Sequence, residues 1–267
     1  MKVAVCYSGM LRGFEDFIKN HHDFLLSKYD CDIYLNFWDV YGYGVQPYSK
    51  YTSKNHYRFT GFHGENKNKI EVIPITESEL IDDETKDRII SKLKPKDFVF
   101  DSFVSMEPFF EEKEKYFYKR WDLDSMSLQL PSLLMMNVMG MYYRIYKCGE
   151  MVQNSGVKYD IVVRNRADTT FTSELILQKP EPNTIYTNSV QSWPEAVNDT
   201  LLYGNMDVMW KYQKMYLDLF SLWDEVAVWN SAEHLLYKYL KKNNFIINSD
   251  LSMMTHNENT YKLRKSK

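Results

Sequence analysis

The first 39 residues read MKVAVCYSGMLRGFEDFIKNHHDFLLSKYDCDIYLNFWD. Met1 to Tyr7 is β-rich, with no polar alternation after Lys2, the pattern of a strand covered on both faces. After Ser8-Gly9, the apolar residues Phe14, Phe17, Ile18, Phe24 and Leu25 recur at helical spacing. A second strand, Cys31 to Phe37, then stops at Trp38-Asp39. A strand, a helix and a strand in so short a span form a βαβ unit, and a βαβ unit requires a parallel sheet. The chain therefore reads as an α/β protein.

The rest of the sequence extends that layout. Val40 to Lys69 is rich in Tyr, Gly, Asn and Lys without a sustained period, and reads as a long excursion. Lys69 to Ile75 predicts a third strand, and Glu77 to Leu93 a polar helix with Thr76 as N-cap and Glu79 at its third position. Asp97 to Phe103 predicts a short strand, while Glu107 to Asp124 has no clear period and reads as a loop or surface helix. Gln129 to Val152 predicts the longest helix, apolar on most faces and hence buried, closed by Gly156. Its many methionines read as core filling. Strands follow at Tyr159 to Asn165, Thr184 to Asn188 and Phe245 to Asn248. Two helices, Asp207 to Leu222 and Ser231 to Lys242, lie between the last two. No repeat or linker splits the chain, so a single domain over residues 1–250 with a basic tail, 251–267, is the simplest organisation.

Composition narrows the function. Of 267 residues, 44% are hydrophobic and 26% charged, ordinary values for a globular protein, which excludes the disordered class. The net charge of −3 provides no basic field of the kind that holds nucleic acid. Cys6, Cys31 and Cys148 are odd in number and widely spaced, which argues against a disulfide framework or a zinc site and for a reducing compartment. The N-terminal apolar run is too brief to span a membrane and has no signal-peptide pattern, so the expected location is cytoplasmic. Histidines do not cluster with acids, and GxSxG, GxGxxG and GxxxxGK[ST] are all missing, leaving hydrolase, dinucleotide and P-loop readings unsupported. Aromatic residues make up 16% of the chain, including 21 tyrosines. Such rings can line a groove for a sugar, or simply fill core and surface.

Four segments fall at strand ends, where open parallel sheets place their ligands. Ser8-Gly9-Met10-Leu11-Arg12-Gly13 leads from a strand into a helix, offering backbone N–H groups, a helix dipole and the Arg12 guanidinium to an anion. Asp39 closes the second strand, placed to bond a ribose or base, or to cap a helix. In YDIVVRNRADTTF, an extended chain would put Arg164, Arg166 and Asp168 on one face. They form an internal ion pair, or else the arginines hold a diphosphate while Asp168 ligates a divalent cation. Asp199 and Glu233 are candidate bases for an acceptor hydroxyl. Glu233, two positions beyond a Ser231 cap at a helix start, equally serves that cap and the helix dipole.

Taken together, KVAVCYSGMLRGF, DIYLNFWD, the long helix, YDIVVRNRADTTF and VNDTLLYGNMDVM resemble a family of GT-A-like glycosyltransferases found in bacterial surface-polysaccharide gene sets and large DNA viruses. The family's elements are S-G-x-x-R, a strand ending in W-D, Y-D-x-x-x-R-x-R-x-D, and N-D before G-x-x-x-x-M. All occur here in order, over about residues 1–242. The resemblance implies a single GT-A-like, Rossmann-like domain with a mainly parallel sheet flanked by helices. It implies transfer of a sugar from a nucleotide-sugar donor to a glycan acceptor hydroxyl, in the cytoplasm, or the host cytoplasm for a virus. Ser8, Gly9, Arg12, Arg164 and Arg166 would face the nucleotide and its diphosphate, with Asp39 at the base or ribose. Asp168 stands at the last acid of a DxD metal motif, whose first acid is here Arg166. A Mn²⁺ or Mg²⁺ ion would have one protein carboxylate, or the arginines would carry its charge instead. Asp199 would deprotonate the acceptor, with Glu233 the other candidate. The alternatives are a catalytically inactive nucleotide-fold binding or assembly protein of a polysaccharide system, and a nucleotidyltransferase.

Overall fold

A computed structural model describes residues 1–12, 14–41, 48–51, 55–60, 69–74, 80–102, 125–188, 195–224, 232–249 and 255–256. It begins with the expected βαβ unit: β1 (Lys2–Gly9), α1 (Phe14–Phe24) and β2 (Asp30–Trp38). Next come β3 (Tyr48–Tyr51), β4 (Asn55–Thr60), β5 (Lys69–Pro74), α2 (Asp83–Leu93), β6 (Asp97–Asp101) and the long α3 (Ser125–Asn154). The second half runs β7 (Ile161–Asn165), β8 (Thr170–Phe171), β9 (Thr184–Thr187) and β10 (Leu201–Gly204). It closes with α4 (Met206–Gln213), α5 (Met215–Asp224), α6 (Ala232–Lys242), β11 (Ile246–Ser249) and β12 (Thr255–His256).

The central sheet has seven strands in the order β11-β9-β10-β7-β1-β2-β6, all parallel except β10. The interior strand β1 is buried from Val3 to Gly9, as an uninterrupted apolar run requires. Strand order reverses there, because β2 lies on one side of β1 and the much later β7 on the other. That reversal opens a crevice beyond the carboxyl ends of β1 and β7. Alternation along each strand separates two cores. Ala4, Cys6, Tyr34, Val162 and Leu202 pack with α3 to α6, while Val3, Val5, Tyr7, Ile33, Ile161 and Val163 pack with α1 and α2.

Four sequence expectations are corrected. The excursion Val40 to Lys69 contains two strands, and the predicted third strand joins them in a separate antiparallel sheet, β3-β4-β5, instead of the central one. Helix α2 starts at Asp83, capped by Asp82, whose carboxylate accepts from Thr85 N–H at 2.6 Å. Asp82 wins because Asp83 and Glu84 behind it favour the positive end of the helix dipole. The proposed cap Thr76 and Glu79 lie outside the described residues. The single helix Asp207 to Leu222 is two, broken at Lys214 between α4 and α5. Finally, α3 is not buried all round: Tyr143, Tyr146, Lys147 and Glu150 are half-buried on one side. Glu107 to Asp124, the Ser231 cap and, apart from β12, the basic tail also lie outside the described residues. Among the described residues no helix is long and apolar enough to cross a membrane.

Candidate functional site

Strand β1 ends in a bend that only some residues can make. Gly9 has φ +110°, in the region L side chains avoid, and Arg12 has φ +48°. Arg12 N–H donates to the Tyr41 carbonyl at 2.7 Å, and its Nη1 lies 3.0 Å from Asp168 Oδ2. Those two anchors hold the strained residue, and strain held in place is a mark of functional sites.

The charged ending of β7 is not the expected single-face ladder. The strand stops at Asn165 and the chain turns over Ala167 and Asp168, so Arg164 parts from Arg166 and Asp168. Arg166 forks onto Asp168, Nε to Oδ1 at 2.8 Å and Nη2 to Oδ2 at 2.6 Å, and its Nη1 is 3.5 Å from Asp199 Oδ1. Burial opposes the charge on Asp168, yet the guanidinium groups of Arg166 and Arg12 hold its carboxyl well below the usual range. Burial likewise opposes the charge on Arg166, and Asp168 and Asp199 outweigh it.

Asp199 is brought to this cluster by β10. Arg166 N–H donates to the Thr200 carbonyl at 2.8 Å and Leu201 pairs with Asn165, so the residue before Thr200 lands beside the Arg166 fork. Its neighbour Asn198 accepts from Thr200 N–H, fixing the turn. Glu233, in the first turn of α6, lies close enough for its charge to act on Arg166 and on the buried Tyr142 hydroxyl. The Glu233 carbonyl accepts from Val197 N–H, tying α6 to the Asp199 segment. Asp39 ends β2 on the far side of β1, where its N–H donates to the Asp101 carbonyl.

Arg164 points the other way, into the core beneath α3. It is 1% exposed, and its three guanidinium nitrogens have no hydrogen-bond partner among the described residues. Ser8 Oγ and the Tyr212 hydroxyl are buried and unpartnered too. A buried donor without an acceptor costs about 1–3 kcal/mol, more when charged, so such groups call for an explanation.

Two site residues were not foreseen. Arg144, from inside α3, is fully buried; its guanidinium stacks on the Trp38 ring at 3.5 Å, and its Nη1 bonds Asn36 Oδ1 at 2.9 Å and Asp101 Oδ2 at 2.5 Å. Nε and Nη2 of Arg144 have no partner. A single arginine within an apolar helix was the available signal. His21, on α1, is fully buried among Tyr7, Phe14 and Phe171. Its Nε2 is 2.6 Å from the Thr169 carbonyl, so it carries the proton, and Nδ1 accepts from the Tyr7 hydroxyl at 3.1 Å. His21 thereby fixes the turn that presents Asp168.

The arrangement brings two guanidinium groups and two carboxylates together at the ends of β1 and β7. As a cation site it fits poorly. Both Asp168 oxygens already accept from guanidinium groups, and an ion seated there would meet two positive charges. No protein-family model and no curated protein sequence matches the chain.

Proposed function

We propose that this chain is a GT-A-like glycosyltransferase that moves a sugar from a nucleoside-diphosphate-sugar donor to a hydroxyl of a glycan acceptor. The observation that carries the reading is the convergence of Arg12 and Arg166 with Asp168 and Asp199 at the mouth of β1 and β7. That mouth is the strand-order reversal where open α/β sheets bind nucleotides. Departure of a nucleoside diphosphate develops negative charge, and fixed guanidinium groups lower the barrier by meeting it in a water-poor site. Asp39, at the end of β2, is placed for the ribose or base. Asp199, held by Arg166 Nη1 at 3.5 Å, is the base for the acceptor hydroxyl. Glu233, on the adjoining helix start, is the other acid in reach.

A thermal-shift panel with UDP, GDP, CDP and dTDP tests this, because a ligand of the native state raises its melting temperature. At least one diphosphate should do so. A flat response to all four would end the proposal.

One observation favours a second reading. Asp168 and Asp199 both face guanidinium groups in the free protein, as in a nucleotide-fold protein that binds without turning over. That reading expects the same shift from a diphosphate but no consumption of any sugar nucleotide.

A further inference from the structure

Three neighbouring strands carry a buried polar row on the side covered by α3. Cys6 pairs with Arg164 on β7, and Ser8 pairs with Asn36 on β2. Side chains two residues apart on a strand share a face, so Arg164, Ser8 and Asn36 share one face near the carboxyl ends of β7, β1 and β2, with Ser8 level with Asn36 and Arg164 diagonal to it. Arg144 descends on them from α3. Cys148, one turn further on, lies 3.9 Å from the Tyr7 carbonyl and 3.8 Å from that of Tyr34, and Arg144 itself bonds Asn36. Two guanidinium groups therefore flank Ser8, one rising from the sheet and one descending from the helix.

Their bonding is incomplete in a consistent way. Arg164 has three unpartnered nitrogens, Arg144 has two, and the Ser8 hydroxyl between them has no partner either. All three residues are at least 97% buried. The acids nearby are engaged: Asp101 with Arg144, Asp168 with Arg12 and Arg166, and Asp199 with Arg166. What the row lacks is acceptor oxygens. The strands that bear Arg164 and Asn36 are two inter-strand spacings apart, roughly 10 Å. A single carboxylate or monophosphate would reach one fork, whereas a diphosphate has oxygens for both. The Asp101 carboxylate at one end is half exposed and marks the side open to solvent.

We propose that Arg164 and Arg144, on either side of Ser8, receive the pyrophosphate of the ligand without a divalent cation. This rests on the glycosyltransferase reading only for what the diphosphate carries. It also divides the arginines: Arg166 orders Asp168 and Asp199, while Arg164 and the unforeseen Arg144 meet the ligand. A cation would be superfluous, since two guanidinium groups already match the charge that a bridging metal would neutralise.

The test is calorimetric titration of the full chain with inorganic pyrophosphate, in EDTA and in Mn²⁺, for the wild type, Arg164→Met and Arg144→Met. Binding should occur in EDTA and weaken at least tenfold in each variant. Binding only with Mn²⁺, absence of binding in either medium, or unaltered binding in both variants would overturn the proposal. Should Arg144→Met fail to fold once Asn36 and Asp101 lose their partner, Arg144→Lys keeps the charge and removes the fork, and the same tenfold loss is expected. Sugar-nucleotide consumption separates the two claims. Metal-free pyrophosphate binding that needs both arginines, with no sugar nucleotide consumed, leaves the cradle standing and removes the transferase. Turnover that requires Mn²⁺ and ignores both substitutions does the reverse.

Discussion

Arg166 grips Asp168 with both arms of its guanidinium, at 2.8 and 2.6 Å, while Arg12 takes the same carboxylate from the opposite side of the cleft at 3.0 Å. One nearly buried carboxylate thus ties the end of β7 to the turn after β1. Removing it leaves two guanidinium groups short of their counter-charge, one of them largely buried. Breaking such a pair by deleting one partner costs about 3–5 kcal/mol. Asp168→Ala should lose that much in urea denaturation, together with activity. An Asp168→Ala protein as stable as the wild type would show that the ion pair carries little.

Burial pushes the His21 imidazole down to about 4, against the raising effects of the Thr169 carbonyl and the Asp168 charge. The unfolded chain, with its histidine near 6.5, binds the extra proton first. Stability is therefore complete above about pH 6.5 and falls as pH drops through 4, by up to about 3 kcal/mol. The carboxylates held low, Asp168 among them, lose their contribution at lower pH. Equilibrium unfolding between pH 7 and 4 should show this slope in the wild type. His21→Gln should flatten it.

How much of this was legible depended on the range of the interaction. β1, β2 and β7 could be read because strands covered on both faces become continuous apolar runs. Arg164, Arg166 and Asp168 do not share the face that an extended chain would give them, because β7 ends at Asn165. Nothing local announces that stop; it is set by the β10 segment, whose Thr200 carbonyl takes the Arg166 N–H. Arg144 stands out only as a lone arginine in an apolar helix, and that says nothing about the Trp38 ring it covers from more than a hundred positions away. The α2 cap was misplaced because Thr76 and Glu79 match a capping box as well as Asp82 does.

Helices α3 and α4 meet at Gly149. A Cβ there would lie 2.6 Å from Gln213 Oε1 and 2.8 Å from its Cδ. Overpacking of this kind costs about 1–3 kcal/mol, against a helix-propensity gain of about 1. Gly149→Ala should lower stability by about 1 kcal/mol net in thermal denaturation, and adding Gln213→Ala should recover part of it. A single variant more stable than the wild type would mean that the contact yields freely.

Asp199 is buried beside Arg166, whose Nη1 lies 3.5 Å from its Oδ1. With Asp199 as the base, Asp199→Asn should lower kcat by about 10²–10⁴-fold, while donor binding changes little. An equal loss in Glu233→Gln with none in Asp199→Asn would move the base to α6.

The most direct measurement is release of nucleoside diphosphate from a panel of UDP-, GDP-, CDP- and dTDP-linked sugars by the wild-type chain. Slow release from at least one donor, abolished in Arg164→Met, is the predicted result. No release from any donor, with nucleoside diphosphates failing to raise the melting temperature, would contradict the account.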